Sequence, residues 1–270
     1  MLPDFEMIVH NIPTSEDITI VPIFDVHLGS RECREQDFIR FIGEIANTPN
    51  MFVFLGGDLL DNGTRNSVTN IFRSVKTPSQ AKKEMAEILR PLAEKNRILC
   101  SVSGNHEKRK DNRDSDDDPC YDIMAKLDCE NLHRENVAFV KIVLGEQRDE
   151  NGIRTAGRYR PSYTFYVSHG SGGGMLPGSV INRNERMGYA VDGVDAVLVG
   201  HSHKPMLSQP GKIVVDNRNN KVSIVPFKVI TATTWLDYGD YAAAKMLLPS
   251  SHCIQKIRLS AYRKEMVVTM

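Results

Sequence analysis

The chain has 270 residues, of which 41% are hydrophobic, enough for one large domain with a full core. Lys+Arg and Asp+Glu balance at 34 each, and a protein held by broad, nonspecific attraction to nucleic acid is normally basic. The five cysteines are odd in number and form no CxxC pair. That excludes both a secreted disulfide framework and a thiolate zinc site, and points to reduced, structural thiols.

The opening residues Met1-Leu2-Pro3-Asp4-Phe5-Glu6 lack the blocks of a signal peptide, and no apolar run has the length of a membrane span. A cytoplasmic protein with no membrane partner, a single domain over residues 1–270, is the expectation.

Residues 18–24 read as a strand, weakened by Pro22, that ends in Asp25-Val26-His27-Leu28-Gly29. A helix follows, with Phe38, Ile39, Phe41, Ile42 and Ile45 at helical spacing. Met51–Leu55 is a continuous apolar run, the pattern of a strand buried on both faces, and it ends in Gly56-Gly57-Asp58. Thr77-Pro78-Ser79-Gln80 supplies an N-cap, a proline at the first helical position and a capping-box glutamine. The helix it starts has Ala81, Met85, Ile88, Leu89 and Leu92 as its apolar face. Ile98–Val102 is the next strand and ends in Gly104-Asn105-His106-Glu107. Strand, polar loop and helix in alternation are what an α/β fold writes.

The charge run 108–118 reads as a solvated loop, and Pro119 begins a helix through Leu127. Val137–Leu144 and Ser162–Ser168 read as two strands joined by a long hairpin loop, the second leading into His169-Gly170-Ser171-Gly172. A helix around Ile181–Ala190 precedes the strand Val194–Val199 and the cluster Gly200-His201-Ser202-His203. Three later β-like segments, Lys212–Asp216, Lys221–Ile230 and Ile254–Tyr262, are expected to form antiparallel strands of a second sheet.

Open α/β folds carry functional groups on the loops at the carboxyl ends of their strands. Here those ends hold Asp25, His27, Asp58, Asn105, His106, His169, His201 and His203. Carboxylate oxygen and neutral imidazole suit Mn, Fe, Zn or Ni. The set exceeds what one four- to six-coordinate ion requires, whereas two divalent ions roughly 3.5–4 Å apart and bridged by a carboxylate accommodate it. Two such ions clamp a phosphoryl oxygen and lower the pKa of a bridging water to give a hydroxide nucleophile. A histidine outside the ligand set then supplies or positions the proton for the leaving alkoxide. Any one of these histidines could be a hydrogen-bonded structural residue. Together, buried Asp and His groups need partners, and here they have only each other.

In this order the motifs DxH, GGD, GNHE, HG and GHSH, spanning about residues 18–205, resemble the signature of the calcineurin-like metallophosphoesterases. The resemblance implies a four-layered α/β-β/α sandwich of two mixed sheets flanked by helices, with a dimetal centre above them. Carried over by motif position, it implies Asp25, His27, Asp58 and His203 around one ion. It implies a bridging Asp58 with Asn105, His169 and His201 around the other, manganese being the leading candidate. His106 would be the unliganded catalytic histidine.

Members that act as protein serine/threonine phosphatases carry a phosphate-binding arginine in GDxVDRG, and Asn62 stands in its place here. The DVHLG form is closer to the DNA-repair-exonuclease branch, and the glycine-rich Ser171–Gly174 resembles a variant of bacterial and phage-type members. The expected substrate is therefore a phosphodiester of a nucleotide or nucleic acid. A phosphomonoesterase and a non-catalytic metal-bound scaffold are the alternatives. Arg31 and Arg109 follow motif positions and could grip a phosphate bidentately or form surface ion pairs. Asp61 either orients a neighbouring site residue or caps a turn. Glu107 either supports the site from behind or faces solvent.

Overall fold

A computed structural model of the chain describes residues 3–63, 74–108, 117–145, 160–172 and 176–270. In chain order its first elements are β1 (Ile8–Ile12), β2 (Ile18–Ile23), α1 (Glu35–Asn47), β3 (Met51–Leu55), α2 (Pro78–Glu94) and β4 (Ile98–Val102). Next come α3 (Pro119–Lys126), β5 (His133–Arg134), β6 (Val137–Leu144), β7 (Ser162–Ser168), α4 (Pro177–Ala190) and β8 (Ala196–Val199). The last are β9 (Met206–Ser208), β10 (Gly211–Asp216), β11 (Lys221–Pro226), β12 (Lys228–Thr231), α5 (Asp240–Ala244), β13 (Lys256–Leu259) and β14 (Met266–Thr269).

One six-stranded sheet has the order β14-β13-β2-β3-β4-β5 and a second has the order β1-β6-β7-β8-β12-β9. Both are mixed: β2 to β5 run parallel while β13 runs against β2, and β8 lies parallel to β7 and β12 while β6 runs against β7. Ile20, Phe54, Val102, Ile142, Phe165 and Leu198 interleave between the sheets, with the Phe54 and Phe165 rings 5.2 Å apart. The opposite faces of the same strands, Val21, Ile23, Val53 and Leu55, are covered by Phe38 and Ile42 of α1, Met85 and Leu89 of α2, and Ile123 of α3. On the far side α4 packs on β8, β9 and β12. The result is the four-layered α/β-β/α sandwich of two mixed sheets, and strands buried on both faces explain why β3 and β4 read as unbroken apolar runs.

The start of α2 is built as its sequence suggests. Gln80 N donates to Thr77 Oγ1 at 3.3 Å, and Thr77 N donates to Gln80 Oε1 at 2.9 Å. In α1 one expected core residue differs: Ile39 is exposed and Ala46 is buried instead.

The expected second antiparallel sheet forms only as the β10–β11 pair. Lys221–Ile230 breaks at Phe227, whose buried ring meets Tyr189 of α4 edge-on at 5.2 Å. The break leaves β11 paired with β10 alone, β12 inside the second large sheet, and β13 antiparallel to β2 in the first. The β6–β7 hairpin is present, with Val143 opposite Ser162, and most of its connecting loop lies outside the described residues. No described helix is long and apolar enough to cross a membrane.

Candidate metal centre

Strands β2, β3 and β4 of one sheet and β7 and β8 of the other end side by side, so their loops meet above the inter-sheet core. At these loops the backbone takes a conformation that few residues accept. Asp25, His27, Asp58, His201 and His203 have φ of 52°, 53°, 50°, 64° and 56°. Asn, Asp and His tolerate this left-handed region better than other non-glycine residues, and its recurrence marks over-determined, functional backbone. The loops also touch: a Cβ on Gly57 would lie 2.5 Å from Gly104 N, and one on Gly104 would lie 2.1 Å from Asp58 Oδ1. Only glycine at both positions lets the Gly-Gly-Asp and Gly-Asn-His-Glu loops close on each other.

The structure brings all eight strand-end residues together. Asp25, His27 and His203 offer ligand atoms within 4.8 Å of one another, as do Asp58, His169 and His201. His203 Nε2 lies 3.3 Å from both Asp25 Oδ1 and His27 Nε2. His169 Nε2 is 3.2 Å from Asp58 Oδ2 and 3.0 Å from Asn105 Oδ1, which also accepts from His201 Nδ1 at 2.7 Å. Ligands sharing one ion at bonds of about 2.1 Å sit roughly 3.0–3.4 Å apart, which is the spacing of most of these pairs.

The donor set fits a cation on a second ground. Asp25 is fully buried, yet its Oδ1 accepts no hydrogen bond and is ringed by nitrogens of His203, His27 and His169 at 3.3, 3.9 and 3.9 Å. A buried carboxylate oxygen without a partner is costly, and a divalent ion at this spot supplies one. Its other oxygen, Oδ2, is fixed by the His201 backbone N–H at 2.9 Å.

Electrostatics follow from this crowding. Burial, then the neighbouring His106, lowers the His27 pKa well below its usual value and keeps the ring neutral. Burial and the charge on His169 lower that of His201. His169 goes the other way. Burial would lower it, but the hydrogen bond and charge of Asp58 outweigh burial and push it up to about 9. Its Nδ1 meets Gly56 O at 3.0 Å, so both ring nitrogens face acceptors. Burial would raise Asp58, yet His169, His27 and His106 hold it well below the carboxylate range.

Two supports stand behind these residues. Asp61 orients His106, whose Nδ1 lies 2.8 Å from the Asp61 carbonyl and 3.4 Å from its Oδ1. Glu107 is buried: Oε2 accepts from Asp58 N and Gly104 N, and Oε1 from Leu60 N, each at 2.9 Å. Burial and the Asp58 charge push its pKa up to about 7, against the pull of the Leu60 N–H. One carboxylate thus clamps the loops that carry Asp58 and His106.

Asn62, in the place of the phosphatase arginine, is buried and donates through Nδ2 to His106 O at 2.9 Å. Residues after 205 contribute as well. Thr234 Oγ1 and Trp235 N donate to Asp25 O at 2.9 and 3.0 Å, and Ser250 Oγ donates to His203 O. These contacts carry no sequence signal, because their acceptors are main-chain atoms. Arg31 is exposed, and Arg109 lies outside the described residues.

Comparison with known proteins agrees with the motifs. The family model described as calcineurin-like phosphoesterase matches residues 19–205. No curated protein sequence matches the chain. Among solved structures, a metallophosphoesterase from Sphaerobacter thermophilus is 16% identical with a TM-score of 0.39, covering 94% of this chain and 89% of its own. The calcineurin-like phosphoesterase YfkN from Bacillus subtilis is 11% identical with a TM-score of 0.36, covering 94% and 91%.

Proposed function

We propose that this chain, which belongs to the calcineurin-like phosphoesterase family, hydrolyses phosphodiesters of nucleotides or nucleic acid with two bound divalent ions. The observation that carries the reading is the orphaned Asp25 Oδ1 beside three imidazoles, joined through Asp58 to a second cluster of Asn105, His169 and His201. Asp25, His27, Asp58 and His203 would hold one ion; Asp58, Asn105, His169 and His201 would hold the other. Manganese suits the carboxylate and amide oxygens of the set, and iron, zinc or nickel its imidazoles. When bound, such a pair polarises the phosphoryl oxygens and makes a hydroxide available at neutral pH.

The chain's own groups do the rest. The Asp61 carbonyl takes the Nδ1–H of His106, which leaves Nε2 as the nitrogen that faces the site. In the imidazolium form, protonated at both nitrogens, Nε2 gives its proton to the departing alkoxide, or a hydrogen bond to the phosphoryl group, while Nδ1–H stays on the Asp61 carbonyl. Glu107 keeps the Asp58 and His106 loops at fixed separation. The diester preference rests on Asn62, which is turned to the His106 carbonyl and offers no guanidinium fork to a monoester dianion. Residues 1–270 act as one unit, in keeping with a core that residues from Ile8 to Val268 share.

A second reading has its own observation: His27, Asp58 and His106 also lie within 4.8 Å of one another, so His106 could be a ligand. The test of function is hydrolysis of bis-(p-nitrophenyl) phosphate and p-nitrophenyl phosphate by manganese-loaded protein. Faster turnover of the diester is expected. Preference for the monoester moves the assignment to a phosphomonoesterase, and hydrolysis of neither with two ions bound leaves a scaffold.

A further inference from the structure

Between β9 and β12 the chain leaves the second sheet as a two-stranded ribbon, β10 paired with β11 and with no third strand among the described residues. Gln209-Pro210 leads into it and Phe227 leads out, and Phe227 N donates to Pro210 O at 3.1 Å across its base. Register places Ile213 opposite Ile224 and Val215 opposite Val222, all four on one face. That face is bare: the four are 74%, 76%, 62% and 65% exposed. The other face carries Lys212, Val214, Asp216 and Ser223, each partly covered, with Lys221 and Val225 more exposed. Lys212 Nζ ties it to the carboxyl end of α4 through Asp192 Oδ1 at 2.8 Å and Val191 O at 3.4 Å. The ribbon therefore turns its mixed side toward the body and its wholly apolar side to water, and the Lys212 contacts hold it that way.

We propose that this face docks a second copy of the chain, ribbon on ribbon about a two-fold axis. The four β-branched side chains present on the order of 500 Å² of apolar surface, the upper part of the range for the largest patch on a monomer. Two such faces supply more than half of the roughly 1,600 Å² that a specific interface buries. The face reads Gly211, Ile213, Val215 on one strand and Val222, Ile224, Pro226 on the other, with no charged side chain. A self-complementary contact of this composition buries no unpaired charge, as an isologous interface requires. Because the formal net charge is zero, long-range repulsion does not oppose the approach of two copies. The tether to α4 and the β9–β12 pairing fix the ribbon before docking, so little ordering is left to do on association.

The test is sedimentation velocity on the full chain across micromolar concentrations. The expected species has twice the 30.3 kDa chain mass. Ile224→Lys, which places an ammonium in the interface, should raise the dissociation constant by at least about tenfold. Ile213→Thr with Ile224→Thr, which keeps β-branching and hence the ribbon, should weaken the dimer in the same direction. Far-ultraviolet circular dichroism should be unchanged in both. Wild-type protein that stays monomeric overturns the proposal, and co-sedimentation of that monomer with phosphatidylcholine vesicles would assign the face to lipid instead. A dimer that persists in both variants also overturns it. None of these readouts depends on hydrolysis.

Discussion

At the ends of β2, β3 and β4, Asp25, His27, Asp58 and Glu107 are at most 2% exposed, while Ile213 and Ile224 of the β10–β11 ribbon are 74% and 76% exposed. One region buries what water prefers and the other exposes what water rejects. Each departure is held by hydrogen bonds rather than left to chance: three backbone N–H groups converge on Glu107, and Lys212 grips the end of α4. They differ in the size of what would complete them. The first gap is an unpartnered carboxylate oxygen among imidazoles, the scale of an ion; the second is a continuous apolar face, the scale of a protein surface.

The largest effect that would break this contrast comes from Asp58, whose carboxylate touches both clusters. Asp58→Asn should lose both ions together, read by metal analysis, with hydrolysis falling to background. Retention of one ion at full occupancy would end its role as bridge. His106→Ala should keep both ions and lower kcat by about 10²–10⁴-fold; if one ion is lost instead, His106 is a ligand.

Glu107→Gln comes next. The amide NH₂ must face at least one of the three N–H groups now bound, which costs on the order of 1–3 kcal/mol of stability. Metal affinity should weaken roughly 10–100-fold, measured by titration with manganese. Unchanged affinity would reduce Glu107 to a folding element.

Acid–base behaviour separates the metal-free and metal-loaded forms. The pKa of His169 is raised by folding, so its stabilising contribution is complete below the unfolded value of about 6.5 and is lost as pH rises through about 9. Chelator-treated protein should therefore lose stability across that window, with a slope of up to about 1.4 kcal/mol per pH unit. Metal ligation needs the neutral ring, so manganese should bind more tightly over the same rise. Thermal melts at several pH values, with and without manganese, check the crossing trends.

The smallest effect belongs to the ribbon. Val215→Thr keeps the β-branched shape on an exposed face and should leave monomer stability within about 0.5 kcal/mol. A larger loss by urea denaturation would mean that the face is already covered within the chain.

The site was more legible in sequence than the sheets were. Asp25, His27, Asp58, Asn105, His106, His169, His201 and His203 each sit where an apolar run stops beside glycine, a pattern written locally. Strand partners are not written locally: nothing between Lys221 and Ile230 reveals that Phe227 turns inward under α4 and sends the two halves to different sheets. Glu107 stayed ambiguous because what it binds is main chain, which every residue has, and Asp61 because it holds His106 in part through its own backbone carbonyl. The edge strands β1 and β14 are half-exposed segments of five and four residues, too short for their period to stand out from the chain around them.

The left-handed backbone at Asp25, His27, Asp58, His201 and His203 sets which amino acids can be tried at these positions. Asn, Asp, His and Gly enter that conformation with little penalty, whereas a β-branched residue does not. Exchanges within that short alphabet change the metal chemistry while keeping the left-handed backbone accessible. Exchanges outside it unfold the loops and answer a different question. A library limited to those four residues would therefore sample alternative metal sites, most freely at His27, His201 and His203, because the Asp25 and Asp58 carboxylates also hold the His201 and His106 N–H groups.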